Sequence, residues 1–556
     1  MSKQMKIYCK NIEEYIPFTG GDTLHEIYLK LKERIGFEPV CARVNNKTEG
    51  LSYPVFGPKL VEFLPRGSAS GQRVYIRSLC MILYKAVADC FPGTKLRIEH
   101  SVSNGYYCRL FGNVKVDEQV VTTIRNHMKE IVDQNIEFER KERLTSDVIK
   151  IFEQQGLDDK VQLLKSTHEL YTVYYRLGDI CDSYYGNLAL TTGQISVFDL
   201  LPYKDGMLLL GFDPQDETVP AKATKQEKLF QAFTDYCDFN HIIGLKNVGE
   251  LNKVVELNRT SDLINVAEAL HDKRIGHISD DIAKRYKEGG ARIVLIAGPS
   301  SSGKTTFTKR LGIKLMTNLL MPKSISLDDY FINRENTPLD EYGEYDFESL
   351  YALDLKQFNH DLNALINGEE VELPYYNFET GKREYRGNKI SLGENTVLLI
   401  EGIHGLNPEL TAQIEAHMKY TVYVSALTTL SIDDHNWVPT TDNRLLRRIV
   451  RDFKYRAVSP TDTIKRWPSV RRGEQKWIFP FQENADAMFN SSLLFELGVI
   501  KEYGEEVLKR VPRDVPEYGE AFRLRCFLSY FAPIEDRMIP PTSLLREFLG
   551  GSAFHY

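Results

Sequence analysis

Cysteine is scarce and shows no pairing in its spacing. The eight residues, Cys9, Cys41, Cys80, Cys90, Cys108, Cys181, Cys237 and Cys526, are scattered singly with no CxxC. That argues against a zinc site or disulfide framework and for reduced thiols in a reducing compartment. Long apolar runs are missing too. None approaches the roughly 20 residues that span a bilayer, and the opening MSKQMKIYCKNIEEY lacks the basic-then-apolar plan of a secretory signal. A cytoplasmic protein without a membrane partner is expected. Excess positive charge is also absent, since 70 Lys plus Arg face 77 Asp plus Glu for a net charge of −7. A globally basic, nucleic-acid-coating chain is excluded, and any basic work must be local. Tandem repeats and low-complexity tracts do not occur, and 37 Gly and 23 Pro are ordinary usage. What is there is 556 residues, 42 % hydrophobic and 26 % charged, enough to fill the cores of about two to four domains.

Residues 1–64 read as a small β-rich unit, with MKIYC, VCARVNN and KLVEFL as strands and TLHEIYLKLKERIG as a helix starting at Thr23 and ending at Gly36. Residues 65–213 form a second unit. In it, 74–91 predicts a largely buried helix stopped by Pro92-Gly93, and 118–139 a longer, solvent-facing one. The polar stretch PQDETVPAKAT opens a linker and helical segment over 214–289, closed by Gly289-Gly290. A third unit follows over 290–500. The tail, 501–556, carries the apolar segments FLSYF and SLLREFL and reads as a packing helix pair.

The strongest local signal is RIVLIAGPSSSGKTTFTKRLGIKL: a β-branched strand at 292–297, then Gly298-x-x-x-x-Gly303-Lys304-Thr305, then a helix. This is a phosphate loop in its strand–loop–helix setting, and it implies a parallel α/β sheet flanked by helices. Glycines at 298 and 303 let the N–H groups of the Ser300, Ser301, Ser302, Lys304, Thr305 and Thr306 stretch close around phosphate oxygens, helped by the helix dipole. Lys304 reaches the β/γ-phosphates in such a loop, and the Thr305 hydroxyl holds Mg²⁺.

Downstream, SISLDDYF ends a strand on Asp328 and Asp329, and TVLLIEG ends one on Glu401. Ligands gather at strand carboxyl ends in open α/β sheets. Asp328 there can take a proton from a hydroxyl or ligate Mg²⁺, and Glu401 can sit beside the metal. The plain alternatives are a turn cap and an ordinary strand-end carboxylate. Between residues 440 and 476, eleven basic residues face four acidic ones. Arg444, Arg448 and Arg451 fall on one helix face, suited to closing on a polyphosphate. A solvated helix or an RNA patch is the competing reading.

Most of 291–490 resembles the uridine kinase family and its phosphoribulokinase relatives: GPSSSGKTT, ISLDDYF, YDFESLYALD, LPYYNFETGKR, LLIEGIHGL, TDNRLLRRIVRDFKYR and ADAMFN occur in the family's order. The resemblance implies an ATP- and Mg²⁺-dependent kinase with Asp328 catalytic. It puts Arg448, Arg451 and Arg456 on the phosphates, Asp346 on the ribose hydroxyls, and Tyr376, with Phe331 and Arg383, in the acceptor pocket. Metal contacts fall to Thr305, Glu401 and Asp328. Two departures bear on this. Where uridine kinases carry a base-reading His, this chain has Gly381, and a second lid Arg is replaced by Val458, with Lys454, Arg471 and Arg472 as candidate substitutes.

The amino-terminal half resembles the first two domains of threonyl-tRNA synthetase. ARVNNKTEGLSYPV looks like its TGS domain, a β-grasp unit, and CFPGTKLRIEHSVSNGYYCRLF, IEFERKE and YYRLGDICDSYYG look like its α+β editing domain. At the positions of that site's two His, Cys and His stand Arg77, Met81, Tyr184 and Leu188. None of the four ligand-like groups survives, so a catalytically dead editing-like domain is expected. Residues 1–213 hold 27 basic and 27 acidic side chains, a balance that offers tRNA no bulk attraction, and nucleic acid is not an expected partner. The expected activity is transfer of the γ-phosphoryl group of ATP to the 5′-hydroxyl of a nucleoside, uridine or cytidine foremost. The alternatives are a kinase of a purine nucleoside or sugar phosphate, and a nucleotide-switched RNA-binding or regulatory protein. A homo-oligomer stays open.

Overall fold

The computed structural model describes residues 5–555. Its first sheet has five strands in the order Glu14–Phe18, Met5–Cys9, Leu60–Pro65, Pro39–Val44, Lys47–Glu49. The first and last long strands pair parallel, which makes it a β-grasp sheet. The helix expected as one piece over 24–36 is two. Leu24–Leu29 starts on a Thr23–Glu26 capping box, and Lys32–Ile35 ends on left-handed Gly36.

The second unit is built on the helix Ala69–Cys90, whose Val74, Leu79, Met81, Ile82 and Leu83 are essentially inaccessible. It packs on a four-stranded sheet ordered Asp199–Tyr203, Gly206–Leu210, Gly105–Phe111, Lys95–Val102. The helix expected over 118–139 spans only Glu118–Asp133. Asn135, at φ 50°, turns the chain out of the helix, and Glu139–Leu144 becomes a strand paired with Tyr171–Leu177. A polar, outward-facing pattern does not distinguish a helix from an edge strand.

Three helices follow, Glu227–Ile242, Val248–Glu256 and Thr260–Lys287, the last ending before Gly289 at φ 89°. The five-stranded parallel sheet has the order Met321–Ser326, Thr396–Glu401, Ile293–Ala297, Lys419–Ser425, Ala487–Asn490. Its central strand is buried at every residue, as a sheet covered by helices on both faces requires. Each Ile or Leu there stabilises the fold by about 1.5–3 kcal/mol through burial. The antiparallel hairpin Val371–Asn377 and Lys382–Ile390 stands apart from this sheet. Among the described residues no helix is long and apolar enough to cross a membrane.

The two halves meet through buried charge. The segment 431–437, just before the helix Thr440–Tyr455, reaches into the second unit. There Lys160 Nζ lies 2.8 Å from Asp182 Oδ1 and 2.9 Å from Asp433 Oδ1. His435 Nδ1 lies 2.8 Å from Asp182 Oδ2. Burial pushes the Asp182 carboxyl up, but Lys160 and His435 together pull it well below the carboxylate range. Trp437 packs at a tilt against Tyr106, and His435 against Tyr84. The synthetase-like positions Arg77, Met81, Tyr184 and Leu188 are all buried. Arg77 lies over the Tyr185 ring and donates to Asn187 O.

Candidate active site

The phosphate loop leaves the central strand at Gly298 and enters the helix Lys304–Thr317. Its glycines are steric requirements. A Cβ on Gly298 would lie 2.0 Å from Val424 O, and Gly303 has φ 84°. The hydroxyls of Ser301 and Ser302 are buried without hydrogen-bond partners, an arrangement that fits an anion-binding loop. Lys304 Nζ donates to the carbonyls of Gly298 and Pro299, 2.9 and 3.1 Å away. Burial lowers its pKa, with Glu401 and Asp328 the leading opposing charges.

Thr305 Oγ1 donates to both Glu401 oxygens at 3.1 Å. A hydroxyl and a carboxylate from adjoining elements are the donor set a hard cation takes, so these residues fit Mg²⁺. Enclosure by protein raises the Glu401 carboxyl to about 7, against the pull of Lys304. Asp328 is the second residue of the short 3₁₀ turn Leu327–Tyr330 after its strand. It is still reached by solvent, yet surrounding protein raises its pKa while Lys304, Arg456 and Arg451 lower it. Those charges converge on one carboxylate.

The arginine-rich helix Thr440–Tyr455 does not use its basic face uniformly. Arg444 is inaccessible, ion-paired with Glu474, and donates to Ser300 O at 3.0 Å. Arg447 pairs with Glu496. These two brace the loop from behind. Arg448 instead donates to Ser300 Oγ at 2.9 Å, and Arg448, Arg451 and Arg456 share Asp452. None of the three candidate substitutes for the lid arginine replaced by Val458 is free. Arg471 pairs with Glu474, Arg472 with Asp340, and Lys454 donates to Leu549 O.

In the hairpin, Tyr376 is 3 % exposed, its ring centre 5.5 Å from that of Phe331 and 5.1 Å from that of Phe378. Its N–H donates to Asp329. Arg383, opposite Tyr376 in the hairpin, binds Asp354 at 2.8 Å. Asp346 turns its own loop, accepting the Glu348 N–H. Glu348 is the carboxylate of that segment that feels Lys304, Arg448 and Asp328. Burial and Glu474 raise it to about 7. Sequence reading missed it, although Phe347-Glu348 is the phenylalanine–acid pair of the segment. The space beside Gly381 is filled by Arg334: a Cβ there would lie 2.8–3.0 Å from its Cβ, Nε and Cζ.

The sequence model of the Phosphoribulokinase / Uridine kinase family matches residues 293–493. The amino-terminal half matches threonine–tRNA ligases. That of Rubrobacter xylanophilus is 26 % identical over 181 residues, 33 % of this chain and 28 % of the relative. That of Finegoldia magna is 28 % identical over 185 residues, 33 % of this chain and 29 % of the relative. The chain thus spans under a third of the length of these relatives. Solved structures that match include a possible uridine kinase from Bacillus stearothermophilus, with 20 % identity, a TM-score of 0.24 and 36 % of this chain against 89 % of that one. A putative fructose transport system kinase from Silicibacter sp. TM1040 matches with 16 % identity, a TM-score of 0.30 and 39 % of this chain against 98 % of that one. The phosphate loop, the two acidic strand ends and the arginine-rich helix all lie within residues 293–493, the stretch that the Phosphoribulokinase / Uridine kinase family model matches.

Proposed function

We propose that the chain is an ATP- and Mg²⁺-dependent kinase that transfers the γ-phosphoryl group to a hydroxyl of a small acceptor, foremost the 5′-hydroxyl of uridine or cytidine. The observation that carries this reading is Asp328, set at a strand end beside a phosphate loop and under the charges of Lys304, Arg451 and Arg456. A carboxylate so placed accepts the proton of the attacking hydroxyl. Lys304, Arg448, Arg451 and Arg456 stabilise charge on the transferring group, and the lid excludes water. Thr305 and Glu401 would hold Mg²⁺, which when bound neutralises phosphate charge. Glu348 and the Tyr376–Phe331 wall orient the acceptor.

A second acceptor class has its own support. Gly381 offers no side chain to a base edge, and the Arg334 guanidinium fills the space beside it, a group that can also pair with the phosphate of a sugar phosphate. A panel of nucleosides and sugar phosphates with ATP and Mg²⁺ separates the two. Turnover of uridine and cytidine supports the first reading, and a preference for a phosphorylated acceptor replaces it. In Glu348→Gln, the acceptor KM should rise while the ATP KM stays near its original value.

A further inference from the structure

The phosphate loop has a protein neighbour that its function does not call for. The carboxyl-terminal segment, which contains the short helix Arg546–Leu549, lies across the first turn of the phosphate-loop helix. Glu547 Oε2 accepts from the Thr306 backbone N–H at 3.2 Å and from Thr306 Oγ1 at 2.7 Å. Leu544 covers Gly303 so closely that a Cβ there would lie 2.2 Å from Leu544 Cδ2. In a phosphate loop the N–H groups of this first turn are donors to nucleotide phosphates. A side-chain carboxylate presents the same kind of acceptor to them. With Lys304 folded back onto loop carbonyls, the nucleotide position is occupied by the chain itself.

The segment is held rather than draped. Leu544, Leu545, Phe548 and Leu549 are buried, and the Arg447 guanidinium lies over the Phe548 ring. Arg546 binds Asp536 and the Ile539 carbonyl. Further back, the same extension is tied to the amino-terminal half. Asn46 donates to Arg513 O, Arg73 pairs with Glu520, and Arg523 joins Glu520 to Asp442 of the lid helix.

We propose that the carboxyl-terminal segment is an autoinhibitory strap whose Glu547 carboxylate occupies a nucleotide-phosphate position on the loop, so that nucleotide must displace it to bind. This rests on the reading of residues 298–306 as a nucleotide site. A carboxyl oxygen and a phosphate oxygen cannot both occupy one N–H donor, so the strap competes with nucleotide and weakens its apparent affinity.

The test is calorimetric titration of the full chain with MgADP for the wild type, Glu547→Gln and Glu547→Ala, with thermal unfolding of each in the absence of nucleotide. Removing the carboxylate should tighten ADP binding by roughly tenfold in Glu547→Ala, the scale of one hydrogen bond to a charged group. The tightening should be smaller in Glu547→Gln, which keeps an acceptor for Thr306. The ligand-free Glu547→Ala protein should melt at a lower temperature than the wild type, because the strap contact is lost. Unchanged or weakened ADP binding in the variants overturns the strap and makes Glu547 part of the nucleotide pocket wall. Absence of ADP binding in the wild type and both variants overturns the nucleotide-site reading together with it.

Discussion

The buried charge cluster between the halves makes a quantitative prediction. Lys160 is 1 % exposed, and its two carboxylate partners, Asp182 and Asp433, are 0 % and 3 % exposed. Replacing Lys160 by Met keeps most of the apolar stem and removes the ammonium that bridges both. Asp182 retains His435, and Asp433 keeps the Asn436 amide and the His435 N–H as donors but loses its ammonium partner, while burial, Asp159 and Asp182 already raise its pKa. Removing one partner from a buried pair costs about 3–5 kcal/mol, most of it the cost of leaving the other charge unpaired. Urea unfolding of Lys160→Met, followed by tryptophan fluorescence, should give a midpoint lower by that amount divided by the m-value. Trp437 sits at this junction against Tyr106 and should respond first. Adding Asp433→Asn should recover part of the loss, since it removes the uncompensated charge. A single variant within about 1 kcal/mol of wild type, or a double variant no better than the single, refutes the reasoning.

Other expectations follow from single positions. Gly298→Ala should abolish nucleotide binding, because its Cβ would meet Val424 O at 2.0 Å; dye-labelled ATP titration checks it. Restoring a His at Gly381 should not improve pyrimidine turnover. It must adopt φ 70° and displace Arg334, and only Gly381→His combined with Arg334→Ala should raise uridine kcat/KM. Burial lowers the His100 pKa to about 3, with its ring stacked 3.8 Å from Phe233. A His held neutral in the fold contributes nothing unfavourable above the unfolded value near 6.5 and costs stability as pH falls below it toward the folded value. His100→Phe should therefore gain on wild type by about 1.4 kcal/mol at pH 5.5 and little at pH 7.5; parallel stability–pH curves would contradict this.

The phosphate loop was legible because its chemistry is local: strand, glycines, lysine and helix are contiguous in sequence. The same holds for Glu401, at the end of a buried apolar run, and for Asp328, which follows the strand Met321–Ser326. The lid was legible only as a concentration of arginine. Its division of labour depends on acids far along the chain, Glu474 for Arg444 and Glu496 for Arg447, and spacing on one helix does not reveal those pairs. Asp346 and Glu348 are two residues apart, and the fold decides which turns the loop and which approaches Lys304. The Glu547–Thr306 contact joins residues 241 apart, and no local pattern announces it. The boundary between helix and strand near residue 134 turned on the left-handed backbone of Asn135, which amphipathic periodicity does not encode.

The central claim is that Asp328 deprotonates the acceptor hydroxyl at a phosphate-loop site. Rapid-quench single-turnover kinetics of Asp328→Asn with ATP, Mg²⁺ and the acceptor selected by the panel tests it most directly. The chemical step should slow by about 10²–10⁴-fold, with ATP binding retained. Phosphoryl transfer at the wild-type rate in that variant would contradict the account.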